Sequence, residues 1–178
     1  MSGISVSRKG MVSFGILTIS DKGSRGERYD GSGAAIQDRI SILGGRVVRY
    51  DIVPDEVDII RRRLIEWADA GDVDVILTTG GTGLGPRDVT PEATSPILDK
   101  VVPGIAEAMR IQTFGKTPTA ILSRAVAGIR KKSLIVNMPG SPSGVRECLE
   151  VIIDPIIHAV EIISGAISEH SPEEQHAH

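Results

Sequence analysis

The stretch TTGGTGLGPRDVTPEAT, residues 78 to 94, constrains this chain more than any other, because it joins a glycine turn, two opposite charges and a helix start. The run before it, Val73 to Leu77, is short, apolar and β-branched, which reads as a buried strand with the glycines at its C-terminal end. In an open α/β sheet that end is where ligands bind. Gly80, Gly81 and Gly83 let the backbone approach a ligand closely, so that successive N–H groups converge on phosphate oxygens. Arg87 adds a cationic fork and Asp88 a carboxylate, while Thr90, Pro91 and Glu92 read as N-cap, first helical residue and first-turn acid. A Walker A loop wants a lysine and a hydroxyl residue where Pro86 and Arg87 stand, and a dinucleotide fingerprint wants a glycine at Pro86. A bare GGTG would serve equally as an ordinary turn before a capped helix. The charged residues and helix start that follow turn the reading towards an anion site.

The rest of the chain alternates strand and helix patterns. Met11 to Ser20 reads as a first strand, and a polar, glycine-rich loop leads into a helix from about Gly33 to Leu43, stopped by Gly44 and Gly45. Arg46 to Val53 is the second strand, Pro54 and Asp55 a turn, and Glu56 to Ala70 a helix with Ile59, Ile60, Leu64 and Trp67 at helical spacing. After the glycine loop come helices at Pro91 to Asp99 and Gly104 to Phe114, then strand segments at Ala120 to Ser123 and Ser133 to Asn137. Met138 to Gly140 is a second turn, after which Ser141 caps and Pro142 opens a helix that Pro155 should kink or divide. This order predicts an α/β fold, a three-layer α/β/α sandwich around a mainly parallel sheet. Ser20 with Asp21, Pro54 with Asp55, the glycine loop and Asn137 to Gly140 would meet at one edge.

With 178 residues the chain suits one domain, read as 11–165 between a flexible lead, 1–10, and a polar tail, 166–178, in which His170, His176 and His178 are irregularly spaced. Aromatics are only 3%, so the core is built from Ile, Val, Leu and Ala, and Tyr29 and Trp67 read as packing residues. A net charge of −3 without a basic, aromatic-interleaved run argues against nucleic acid as a partner. Cys148 is the single cysteine, which excludes an internal disulfide, and it reads as a small core residue. No signal-peptide pattern and no run long enough to span a bilayer are present, giving the expectation of a cytoplasmic location without membrane partners.

A glycine cradle beside a carboxylate poses an electrostatic problem if the ligand is a polyphosphate. Like charges about 4 Å apart repel by roughly 4 kcal/mol at an effective dielectric near 20. Mg²⁺ between them resolves this, taking one or two carboxylates plus phosphate oxygens, and Asp88 with Asp55 would supply them if the strand ends converge. Taken singly, Asp88 reads as a helix-flanking acid and Asp55 as an N-cap.

These features, in order, are Ser20 with Asp21, an element from Asp30 to Gly33, PDE at 54 to 56, TTGGTG with RDVTPEA, ILSR at 121 to 124 and NMPG at 137 to 140. Together they resemble the molybdopterin adenylyltransferases, the MogA and MoaB-like proteins of molybdenum cofactor biosynthesis, and the related G domain of gephyrin. The resemblance covers roughly residues 11 to 165, and departs from the family's DKSG element at Gly31. It implies AMP transfer from ATP to molybdopterin with release of pyrophosphate, a phosphoryl-type reaction resting on positioning and charge neutralisation. By that resemblance Gly80, Gly81, Thr82 and Gly83 bind nucleotide phosphates, with Asn137, Met138, Pro139 and Gly140 as the opposite wall. Asp88 and Asp55 are the catalytic pair that holds Mg²⁺; Ser123, Arg124 and Ser133 contact the pterin or its phosphate, with Lys131 or Lys132 as helpers. It also implies a homotrimer and a molybdenum-inserting partner enzyme.

Two other readings compete. One is a scaffold that holds molybdopterin without turnover, ranked second because both metal carboxylates are present. The other is the molybdate-inserting enzyme itself, whose additional domains have no room here.

Overall fold

The computed structural model describes residues 11–166, so the expected lead and all of the expected tail except Ala166 lie outside the described residues. Six strands form one sheet in the order β2-β1-β3-β6-β5-β4. They are β1 (Ser13–Ile19), β2 (Arg46–Val53), β3 (Val75–Thr79), β4 (Lys100–Val101), β5 (Ala127–Arg130) and β6 (Ser133–Met138). β2, β1, β3 and β6 run parallel, whereas β5 is antiparallel to both β6 and β4. The sheet is therefore mixed and mainly parallel, as expected.

β1, β3 and β6 are buried along their whole lengths because helices cover both faces. Alternation along each strand divides the core in two. Phe14, Ile16, Val75, Leu77, Leu134 and Val136 point to one side, against α2 (Gly31–Ile42), α5 (Pro103–Thr113) and α6 (Pro142–Ile163). Leu17, Ile19, Ile76 and Ile135 point to the other, against α3 (Val57–Ala70) and α4 (Thr90–Thr94). Ile60, Leu64 and Trp67 of α3 are buried as their spacing predicts, but Ile59 is exposed. Trp67 lies on β1 so closely that a Cβ at Gly15 would stand 2.9 Å from its ring, so a glycine there makes room for the one tryptophan. Tyr29 does not pack: it is 82% exposed.

Several expected elements differ. Ala120 to Ser123 is not a strand; Pro118–Leu122 is a 3-10 turn with Ile121 and Leu122 exposed, and the strand comes later as β5. β5 turns into β6 at Lys131, whose φ of 54° falls where glycine or asparagine is usual, so the residue types concealed the hairpin. The helix expected to Asp99 is α4 plus a 3-10 turn at Ser95–Ile97, followed by the two-residue edge strand β4. Pro155 does not divide α6, which runs unbroken to Ile163. Pro155 is solvent-facing, while Ile152, Ile153 and Ile156 are buried and hold the axis on the sheet. The loop after β1 begins with a short helix, α1 (Asp21–Ser24), capped by Ser20.

Candidate functional site

Because β2, β1, β3 and β6 are parallel, their C-terminal ends reach one edge, and hydrogen bonds tie these ends together. Ser20 N donates to Val53 O at 2.9 Å, Gly80 N to Met138 O at 3.3 Å, and Thr79 Oγ1 to Pro139 O at 2.6 Å. Asp21 N donates to Asp55 Oδ2 at 2.9 Å, and Asp55 N returns the bond to Asp21 Oδ1 at 3.1 Å. All four predicted strand ends meet.

The glycine loop fits this edge with little free space. Gly80 and Gly81 have φ of 99° and 67°. A Cβ on Gly80 would strike the Ile19 carbonyl, and one on Gly81 would strike Thr90 Oγ1. Thr90 is not the N-cap: Val89 holds that place, and the buried Thr90 hydroxyl donates to Gly80 O at 2.8 Å. Its own carbonyl accepts from Thr94 Oγ1 at 2.8 Å, and Asn137 Nδ2 donates to Thr94 Oγ1 and Thr78 Oγ1, both at 3.0 Å. Asn137 Oδ1 accepts from Val126 N at 3.3 Å, so Asn137 is a fully buried tie from β6 to β3 and α4 and is turned away from any ligand.

A cleft of about 590 Å³ opens beside the loop, a size suited to a small organic ligand. Gly81, Thr82, Gly83 and Asp88 line one wall, and Pro139, Gly140 and Ser141 line another. Met138 is fully buried, so of the NMPG turn only Pro139 and Gly140 face the cleft. Ser123 lines it too. Ser133 does not come near: it starts β6 at the opposite sheet edge, where its hydroxyl donates to Val73 O at 2.6 Å. Arg130 to Lys132 form the β5–β6 hairpin at that same far edge, with Arg130 paired to Asp69 at 2.8 Å. The strand direction removes all of these from the predicted pterin contacts.

Arg124 is a brace behind the loop and is not among the cleft-lining residues. Its guanidinium donates to Gly83 O at 2.8 Å and to Asp88 O at 2.6 Å, and pairs with Glu92. Arg87, read as a cationic fork, is engaged with Asp21 at 3.0 Å and Glu56 at 2.8 Å. It holds the Asp21 carboxyl below its ordinary range.

Asp88 turns back on its own loop, accepting from Gly85 N at 2.8 Å through Oδ2. Asp55 is not a helix cap, since Glu56 occupies that position without a side-chain bond. A Cβ on Gly81 would lie 3.4 Å from Asp55 Oδ1, so this carboxylate stands directly beside the loop. Burial raises the Asp55 carboxyl above its ordinary range, and the nearby Asp21 and Asp88 add to the rise against the backbone bond from Asp21 and the Arg87 charge. Among the described residues no group of three or more His, Cys, Asp or Glu is arranged to hold a metal alone.

Sequence reasoning missed the far part of the cleft, where α5 contributes Ala106, Met109, Arg110 and Thr113 and α6 contributes Glu147 and Cys148. The spacing of these α5 residues, i, i+3, i+4 and i+7, was a signal for one helix face. Burial pushes the Cys148 thiol up to about 11, which marks it as a packing residue without nucleophilic character.

Comparison with known proteins agrees with this geometry. The sequence model described as "Probable molybdopterin binding domain" matches residues 15–159. Molybdopterin adenylyltransferase of Helicobacter pylori is 46% identical over 156 residues, spanning 86% of this chain and 89% of that protein. The crystal structure of the molybdopterin biosynthesis enzyme MoaB from Thermus thermophilus superposes with a TM-score of 0.82 at 51% identity, over 87% of this chain and 98% of the other. A tungsten cofactor synthesizing MoaB from Pyrococcus furiosus gives 0.79 at 35% identity, over 87% and 98%. With this sheet, this glycine loop and a match across most of its length, the chain belongs to the molybdopterin-binding domain family.

Proposed function

We propose that this chain is a molybdopterin adenylyltransferase of molybdenum cofactor biosynthesis. The terminal phosphate of molybdopterin attacks the α-phosphorus of ATP, the bond to the β-phosphate breaks, and adenylyl-molybdopterin and pyrophosphate are formed. The observation that carries this reading is the placement of Gly81, Thr82, Gly83 and Asp88 on one wall of a ligand-sized cleft, with Asp55 beside Gly81. The 46% identity to a protein of that named activity supports it.

The chain's part in this reaction is positioning. Backbone N–H groups of residues 81 to 83 hold phosphate oxygens, and Pro139 and Gly140 close the other side; Gly80, expected among them, instead gives its N–H to Met138 O and does not line the cleft. The phosphate is itself the attacking group, so no side-chain nucleophile is needed. Asp55 and Asp88 each have one oxygen held by a backbone N–H and a second with no partner among the described residues. Such hard, directed oxygen donors fit Mg²⁺. Asp55 and Asp88 would hold it together with phosphate oxygens, and it would neutralise charge on the reacting phosphates. Ser123 is the remaining candidate for pterin contact from the predicted trio, since Arg124 and Ser133 are engaged elsewhere.

A homotrimer, a cytoplasmic location and transfer of the product to a molybdenum-inserting enzyme belong to the same proposal. Ile111 on α5, Phe114 at its C-terminal cap and Ile121 on the adjoining 3-10 turn are exposed, and a neighbouring copy would cover such residues. No helix among the described residues is long and apolar enough to cross a membrane. The test is incubation with ATP, Mg²⁺ and molybdopterin, with assay of pyrophosphate and adenylated pterin. Equal amounts of both are expected; molybdopterin binding with no pyrophosphate above a protein-free control would make the chain a scaffold.

A further inference from the structure

The two carboxylates that would share a cation come from separate elements. Asp55 lies in the turn after β2, and Asp88 in the segment between β3 and α4. Leu84 to Arg87 are exposed, so packing does not fix where that segment stands. A side chain ties it to the ends of β1 and β2. Arg87 donates through Nε to Asp21 Oδ2 at 3.1 Å and through Nη2 to Asp21 Oδ1 at 3.0 Å, and the same Nη2 reaches Glu56 Oε1 at 2.8 Å. Asp21 and Asp55 exchange backbone-to-carboxylate bonds in both directions, and Glu56 follows Asp55 in the chain. One guanidinium next to Asp88 therefore holds Asp55 from two sides. Arg124 anchors the same segment to α4, through the Asp88 carbonyl and Glu92. With side chains 55% and 52% exposed, the Arg87–Glu56 pair contributes little to stability. A planar fork that grips acids from two elements fixes geometry instead.

We propose that Arg87 is a positioning residue: by clamping its segment to Asp21 and Glu56 it sets the separation of Asp55 and Asp88 at which one divalent cation binds between them. This rests on the metal reading above and adds the residue that prepares the pair before the cation arrives. Without the clamp the two like charges are free to move apart, and the cation must order the exposed segment as it binds. Small cations with strict coordination geometry tolerate such loosening poorly. Arg87 is not among the cleft-lining residues, so its loss acts through the cation and leaves the phosphate cradle in place.

Arg87→Lys keeps the charge but has no fork with which to hold two acids. ATP affinity is measured by calorimetry with and without Mg²⁺, in the absence of molybdopterin, so that no turnover takes part. In the parent Mg²⁺ tightens ATP binding at least about tenfold. In Arg87→Lys that gain falls to about threefold or less, whereas metal-free ATP affinity stays within about twofold of the parent. Glu56→Gln, which removes one of the two acids, gives an intermediate gain, and combined with Arg87→Lys it adds no further loss. In transfer assays of Arg87→Lys the Mg²⁺ concentration for half-maximal rate rises about tenfold, while kcat at saturating Mg²⁺ returns to within about threefold of the parent. An unchanged Mg²⁺ gain in Arg87→Lys would overturn the clamp. So would an equal loss of ATP affinity with and without the metal, which would make Arg87 a phosphate contact or a support for the whole loop. A parent that does not respond to Mg²⁺ would overturn the metal reading and the clamp together. A Mg²⁺ response without adenylyl transfer would leave the clamp standing and sink the proposed activity.

Discussion

Asp55 shows how a residue's strain and its proposed role coincide. Burial raises its carboxyl, and the crowding of Asp21 and Asp88 adds to this. A raised acid favours the folded state in its protonated form, so the stability it contributes is present below its unfolded value and is lost as pH rises through its folded one. At neutral pH the ionised Asp55 therefore works against the fold unless a cation joins it. Asp55→Asn keeps an oxygen for the Asp21 N–H and removes the charge. In buffer without Mg²⁺ the variant melts above the parent at pH 7, and the gap closes as pH falls through the raised Asp55 value. Calorimetry across pH 4 to 8 checks this; a variant melting below the parent at pH 7 would mean that the charge supports the fold. Asp21 has the opposite sign, since Arg87 depresses its carboxyl, and its contribution is lost at the acid end.

At the scale of elements, the sequence revealed the strands that carry ligand turns and concealed those that do not. β3 and the glycine loop were legible because apolar β-branched residues run straight into Gly80, a position whose φ of 99° excludes most other residues. β5 was not, because the hairpin after it turns on two lysines and its register is set by Ser133 and Leu134 pairing back on Arg130 and Ile129. Arg124 was misread for a related reason: sequence shows a guanidinium in a motif but not which way it points. The fold turns it onto the carbonyls of Gly83 and Asp88. Arg124→Ala leaves those carbonyls and Glu92 without their donor and should cost about 1–3 kcal/mol of stability. ATP and molybdopterin affinities should fall together, because the loop that Arg124 supports is shared. Loss of pterin affinity alone, with an unchanged melting temperature, would instead make Arg124 a direct ligand contact.

For the whole molecule, one topological fact organises the site: four parallel strands end on one edge and bring residues 20–21, 54–55, 80–88 and 139–141 together. That convergence was predictable from strand and helix alternation. The same fact places Ser133 and Lys131 at the wrong edge, so the errors in site residues came from treating motif membership as position. The spacing of Ala106, Met109, Arg110 and Thr113 marked one face of α5, but only tertiary packing shows that this face and α6 wall the cleft. The most direct test of the account follows the label from [α-³²P]ATP in the presence of Mg²⁺ and molybdopterin, for the parent and for Asp88→Asn. Radioactive adenylyl-molybdopterin is expected from the parent, formed one for one with pyrophosphate, with transfer at least about a hundredfold slower by the folded variant and molybdopterin binding retained. Label transfer by Asp88→Asn at the parental rate, or no labelled pterin from the parent, would contradict it.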